Sequence, residues 1–314
     1  MQGLKLLMLF ASSLAICACG GGSSGSGAPI VATSTATSVS SSSSSSTSSS
    51  SKASSAGASS LEGRSLVDRP DKYVDDYQIH VIYAVPSDKP DQQHDIKRTF
   101  EVSLRAANNF FSKTTQQQFR FDEAADGSLD VSFLLLPSSD YFYASKLAFA
   151  REAVQTDVRA AGFTNPRKIY LVYYEGNNEA TCGNAPAVGS GDGITVLYLH
   201  GLASSKYPCD TNPFSTNANI AGYWEWVPLH EIVHALSFVD TCAPHGKAMP
   251  SHTSDDPSDL MYAGNLAWAP TTIDPGHDDY YGENVPQSCA RNLKNSVFLV
   301  PQLGNELPIN FPHN

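Results

Sequence analysis

Two histidines and one glutamate stand at a spacing that can do chemistry. They lie in Trp224-Glu225-Trp226-Val227-Pro228-Leu229-His230-Glu231-Ile232-Val233-His234-Ala235-Leu236. At about 100° per residue a helix puts His230 and His234 on one face, roughly 40° and one turn apart, so both imidazoles can reach one ion. Glu231 falls on the adjoining face, where it can take a proton from water activated by that ion without being a ligand. Zinc lowers the pKa of such a water to about 7, which suits hydrolysis of a peptide bond with Glu231 as base. A string of this kind also arises by chance, leaving histidines that merely face a polar groove. Here the strongly apolar flanks argue for a buried helix and a working site.

A catalytic zinc takes three protein ligands, and three downstream residues compete for the last place. They are Asp240, His245 in Cys242-Ala243-Pro244-His245, and His252 in Pro250-Ser251-His252-Thr253-Ser254-Asp255. Further on, Ser258-Asp259-Leu260-Met261-Tyr262 resembles the Met-turn of the metzincin zinc peptidases. The motif of that clan is His-Glu-x-x-His-x-x-Gly-x-x-His or Asp, met here by His230, Glu231, His234 and Asp240, with Ser237 in the glycine's place. Glycine lets the helix end and turn. Without a turn, Asp240 would sit about 120° off the His234 face.

The stretch from Tyr223 through Tyr281 is also similar to a group of uncharacterised secreted bacterial proteins. In these a Gly-His-Val-like segment precedes Asp-Leu-Met-Tyr, which implies His252 as third ligand, ahead of Asp240 and then His245. That similarity extends from Tyr77 to Cys289. The metzincin resemblance further implies that Met261 packs beneath the metal, and it makes Tyr262 a candidate to hydrogen-bond the oxyanion, against the plainer reading of a core tyrosine.

Other residues invite roles with less force. The pairs Asp255-Asp256 and Asp278-Asp279 are candidates for Ca2+, but they lack the alternating spacing of a calcium loop. Trp224, Trp226 and Trp268 read as packing around the helix. His200 ends a strand expected at the edge of the sheet, beside the substrate cleft, and is at most a specificity residue.

The elements that must position this chemistry are legible upstream. Tyr77 to Val85 is a β-branched and aromatic strand stopped by Pro86. Ile96, Phe100, Leu104, Ala107 and Phe111 recur on one helical face. Leu129 to Leu136 is a second strand, and Leu147, Val154 and Val158 mark a second helix ending near Gly162. Lys168 to Tyr174 and Ile194 to Leu199 are further strands, and the helix with the histidines begins near Tyr223. Alternation of strands and helices predicts an α/β, zincin-like fold: a twisted, mainly parallel sheet with helices, an active-site helix and a loop-rich C-terminal half with the Met-turn.

The N-terminus reads as an address. Lys5 precedes an apolar run that is too short to span a bilayer. The run closes on Ile16-Cys17-Ala18-Cys19-Gly20, which resembles a bacterial lipoprotein cleavage box. Residues 1–18 are thus expected to be a signal peptide and Cys19 the lipidated N-terminus. Residues 19–65, nearly all Ser, Gly, Thr and Ala at first, form a linker without the apolar surface to order itself. Residues 66–314 make one domain.

Of six cysteines, Cys17 and Cys19 belong to the leader, leaving Cys182, Cys209, Cys242 and Cys289. For an exported protein their even number suggests disulfides, and adjacency favours Cys182 with Cys209 and Cys242 with Cys289. A net charge of −11 with scattered Lys and Arg offers no basic stripe, which argues against nucleic acid.

The expectation is a zinc endopeptidase tethered by its lipid at the bacterial cell envelope, at the outer membrane if the cell is Gram-negative. It acts on protein or peptide, as a monomer. Its rivals are a zincin-like surface adhesion module without turnover and a zinc hydrolase of another substrate class.

Overall fold

The computed structural model describes residues 61–201, 209–246 and 251–312. The expected signal peptide, Cys19 and the chain as far as Ser60 lie outside the described residues. The folded unit already includes Arg64, within the stretch expected as linker. Its buried guanidinium donates to Asp91 and Asp95 at 2.9 and 2.7 Å and lies 3.8 Å over the Phe133 ring. A charged group so enclosed has to be paired.

The elements run β1 (Gln78–Val85), α1 (Thr99–Thr115), β2 (Gln118–Phe119), β3 (Val131–Leu135), α2 (Asp140–Ala144), α3 (Ala150–Ala160), β4 (Lys168–Asn178), β5 (Gly183–Asn184), β6 (Ile194–Gly201), α4 (Tyr223–Ala235) and β7 (Leu299–Val300). The five-stranded sheet has the order β3-β1-β4-β6-β5. Its first four strands are parallel, and β5 runs antiparallel to β6. The α/β class and mainly parallel sheet are therefore as the alternation of elements predicts.

Both faces of this sheet are covered, which is why its strands read as continuous apolar runs. Ile79, Val81, Tyr83, Ile169, Leu171 and Tyr173 point toward α1 and α4. Ile82, Ala84, Tyr170, Val172, Tyr174 and Val196 point toward α2 and α3. On α1, Phe100, Leu104, Ala107 and Phe111 bury the expected stripe, whereas Ile96 precedes the helix and is exposed. Leu147 likewise lies ahead of α3 and in solvent.

One expectation is corrected. The strand ending in His200 is not the sheet's edge, because β5 pairs with it at Val196 and Leu197. A two-residue strand in a Gly-rich loop gives no periodicity to detect. His200 Nε2 donates to Glu175 at 2.7 Å, and Glu175 also accepts the Tyr83 hydroxyl.

Disulfides join Cys182 to Cys209 and Cys242 to Cys289, the pairing adjacency favours. Such bonds persist in oxidising, extracytoplasmic surroundings. Among the described residues no helix is long and apolar enough to cross a membrane. Beyond α4 the chain is mostly irregular, so buried side chains replace ladders in holding it. Asp274 does this by accepting the backbone N–H groups of Asp278, Asp279, Tyr280 and Tyr281.

Candidate metal centre

The helix that carries the motif is fixed at both ends. Glu225 accepts the backbone N–H of Gly222 at 2.9 Å, satisfying a donor at the helix start, and also that of Ser215 in the preceding loop at 2.9 Å. Pro228 lacks an N–H and so leaves the Trp224 carbonyl without its helical partner; Ser103 Oγ lies 3.4 Å from it.

At the other end Ser237 adopts φ 67°, the left-handed conformation that the metzincin glycine supplies more cheaply. Arg291 closes this end, donating to the carbonyls of Leu236 and Ser237 at 2.7 and 2.9 Å. Its guanidinium lies 4.4 Å over Phe238. The helix thus turns where the motif requires, with a serine in the turning position.

After the turn, Asp240 does not join the histidines. The residue that does is His252, from the irregular segment beyond. The three Nε2 atoms are 3.0 Å (His234–His230), 3.2 Å (His234–His252) and 3.3 Å (His230–His252) apart. His234 and His252 are buried, and His230 is half-buried.

Orientation comes from the other ring nitrogens. His230 Nδ1 donates to the Leu260 carbonyl at 2.8 Å and His234 Nδ1 to the Phe238 carbonyl at 3.0 Å. A carbonyl only accepts, so in these neutral rings Nδ1 carries the hydrogen and Nε2 keeps a lone pair. Burial and the neighbouring imidazole His252 hold both rings neutral: the His230 pKa falls to about 3 and that of His234 well below its usual value.

Lone pairs converging at such distances repel unless a cation lies among them. Zinc with nitrogen ligands at about 2.0–2.1 Å in tetrahedral array requires N···N separations of about 3.3 Å, close to those found. The cluster can therefore hold zinc, with three protein ligands as an open catalytic site uses.

Glu231 leaves the helix toward β5. Its carboxylate accepts the Ala185 N–H, and burial raises its pKa to about 8. Among the described residues its Oε2 has no hydrogen-bond partner. A dication nearby would oppose that upward shift.

Met261 is fully buried in the turn between Leu260, which holds His230, and Tyr262. Tyr262 is buried, and its hydroxyl accepts the Leu266 N–H at 2.9 Å. His245 lies in a separate cluster, its Nδ1 3.0 Å from Asp279 and 3.5 Å from Asp255. Of the two acidic pairs expected as calcium candidates, Asp278 and Asp279 stay together about His245, whereas the other is split: Asp255 joins them and Asp256 accepts the Ser258 N–H.

Trp268 packs against the helix as expected, edge-on to His230 at 5.7 Å, and donates to the same Leu260 carbonyl. Trp226 lies 6.1 Å from Trp268, and Trp224 is buried in the core. Residues that sequence patterns do not single out are Gly183, beside Glu231, and Arg291 at the helix end. Neither belongs to a motif or a periodic stripe.

No protein-family model and no curated protein matches the chain. Several solved structures are similar over part of its length. OgpA from Akkermansia muciniphila is 17% identical with a TM-score of 0.39, over 68% of this chain and 61% of its own. Catalytically inactive OgpA in complex with an O-glycopeptide substrate, glycodrosocin, is 16% identical with a TM-score of 0.35, over 68% and 60%. Metalloproteinase-II from Bacteroides fragilis is 14% identical with a TM-score of 0.32, over 70% and 56%. The chain spans less than two thirds of the length of each of these structures.

Proposed function

We propose that the protein is a zinc-dependent endopeptidase in which His230, His234 and His252 hold the metal and Glu231 is the catalytic base. The observation that carries this reading is the convergence of three Nε2 lone pairs beside a buried carboxylate aimed at the edge of a sheet. Zinc, when bound, supplies Lewis-acid activation of water and carbonyl at neutral pH.

The chain's own residues do the rest. Leu260 and Phe238 fix the imidazole tautomers through their carbonyls. Glu231, ionised, accepts the proton released from the attacking water and passes it to the leaving amine. Strand β5, at the sheet's edge beside Glu231, offers backbone groups to which an extended peptide can add as a further strand. Tyr262 would need its hydroxyl free of Leu266 to serve an oxyanion. The sheet edge beside Glu231 supports a protein or peptide substrate, and the resemblance of the Cys19 segment to a lipoprotein cleavage box supports a serine-rich tether at the cell envelope.

The test is digestion of a peptide library by the purified domain, with zinc content by mass spectrometry. Cleavage that is lost in Glu231→Gln while zinc is retained supports the assignment. A folded wild type that holds zinc but cleaves no peptide turns the reading toward another hydrolysis or a binding role.

A further inference from the structure

The segment carrying His252 belongs to no helix or sheet, so something else must set where that imidazole stands. Its neighbour Thr253 is fully buried and tied three ways. The Thr253 N–H donates to the Met261 carbonyl at 2.9 Å, and its own carbonyl accepts the Ala263 N–H at 2.9 Å. Its hydroxyl donates to Asp259 Oδ2 at 2.8 Å.

Asp259 is also fully buried, and its other oxygen accepts the Met261 N–H at 3.0 Å and the Tyr280 hydroxyl at 2.5 Å. One carboxylate therefore joins three stretches of chain. They are the residue after His252, the turn whose Leu260 carbonyl orients His230, and the C-terminal loop through Tyr280. Among the described residues no Lys, Arg or His forms an ion pair with Asp259, so hydrogen bonds alone compensate a buried carboxylate that is costly to enclose.

We propose that Asp259 is a positioning residue for the metal centre, which acts through Thr253 to set the place of His252 relative to His230 and His234. The inference rests on reading those three imidazoles as zinc ligands. Outer partners of this kind orient a ligand before the metal arrives, and losing one weakens metal binding roughly 10- to 100-fold.

The experiment is chelator competition for zinc on the intact, metal-stripped protein, with thermal unfolding of each metal-free variant alongside. Thr253→Val keeps the shape of the side chain but removes the hydroxyl, and is expected to bind zinc roughly 10- to 100-fold more weakly. Thr253→Ser keeps the hydroxyl and is expected to restore most of the affinity. Tyr280→Phe breaks a bond to the same carboxylate on the side away from His252, so its affinity should stay near wild type even where its melting temperature falls as far as that of Thr253→Val.

Equal zinc affinity of Thr253→Val and wild type overturns the proposal. So do affinity losses that simply follow the melting temperatures across the three variants. A wild type that takes up no zinc removes the parent reading and this one together, a result distinct from a wild type and a Thr253→Val that bind alike.

Discussion

Gly183 and Glu231 share one space: a methyl group on Gly183 would lie 2.4 Å from Glu231 Oε1 and 2.6 Å from its Cγ. Side-chain carbons do not approach so closely, so only glycine at this point of β5 lets the carboxylate rest against the edge strand. Gly183→Ala is expected to displace Glu231 and leave the three imidazoles, which are held by other carbonyls. Peptide turnover should fall on the order of 100-fold, the scale of a lost general base, with zinc content unchanged. Turnover assays paired with metal analysis check this; undiminished turnover would mean that the base acts from another position.

The third ligand gives a second prediction. His252 lies 3.2 and 3.3 Å from the other two Nε2 atoms, whereas His245 is engaged by Asp279 and Asp240 stands outside the cluster. His252→Ala should cost more zinc affinity than the roughly 10- to 100-fold of an outer partner, while Asp240→Ala and His245→Ala bind as wild type. Zinc loss in Asp240→Ala alone would return the assignment to the spacing of the metzincin motif.

How much of this is legible in sequence depends on the range of the interaction. The strands β1, β4 and β6 and the helices α1 and α4 announce themselves because burial imposes apolar patterning within one element. The pair His230 and His234 is legible for the same reason, since one helical turn separates them. The edge strand β5 is not, because two residues carry no period and its partner β6 lies beyond an intervening loop. Arg291 is silent in the same way: it serves Leu236 and Ser237 from a distant loop, and no local pattern marks an arginine that donates to carbonyls. His252 could be ranked only through a resemblance, because its place depends on Thr253, Asp259 and the turn at Met261.

The serine in the turning position gives a third prediction. At φ 67° Ser237 carries a left-handed penalty of about 1 kcal/mol that glycine would not. Its hydroxyl also accepts the Ile309 N–H at 3.2 Å, a bond worth about 1 kcal/mol. Ser237→Gly should therefore change stability little, the two effects opposing. Ser237→Val loses the bond and adds a β-branched side chain to the strained conformation, so it should destabilise by roughly 2 kcal/mol or more. Urea unfolding of the two variants with disulfides intact decides it; a strongly stabilised Ser237→Gly would show that the Ile309 contact contributes nothing.

Acid sensitivity tests the opposite end of the sheet. Burial raises the Asp140 pKa, but the Asn177 N–H, the Lys89 ammonium and the Tyr174 hydroxyl outweigh it, and the folded value lies below the 3.8 of an ordinary aspartate. The hydroxyl and ammonium stand 2.8 and 2.9 Å from its oxygens. For a carboxylate whose pKa is depressed on folding, the unfolded chain binds the proton more readily, so the stabilisation is complete above pH 3.8 and is lost as pH falls through the folded value. Asp140→Asn should lower stability at neutral pH by about 2 kcal/mol, the scale of hydrogen bonds to a charged group, and flatten the fall in stability at the acid end. Unfolding midpoints measured from neutral pH downward for both proteins check the sign. Parallel curves below pH 3.8 would show that Asp140 titrates as it does in the unfolded chain.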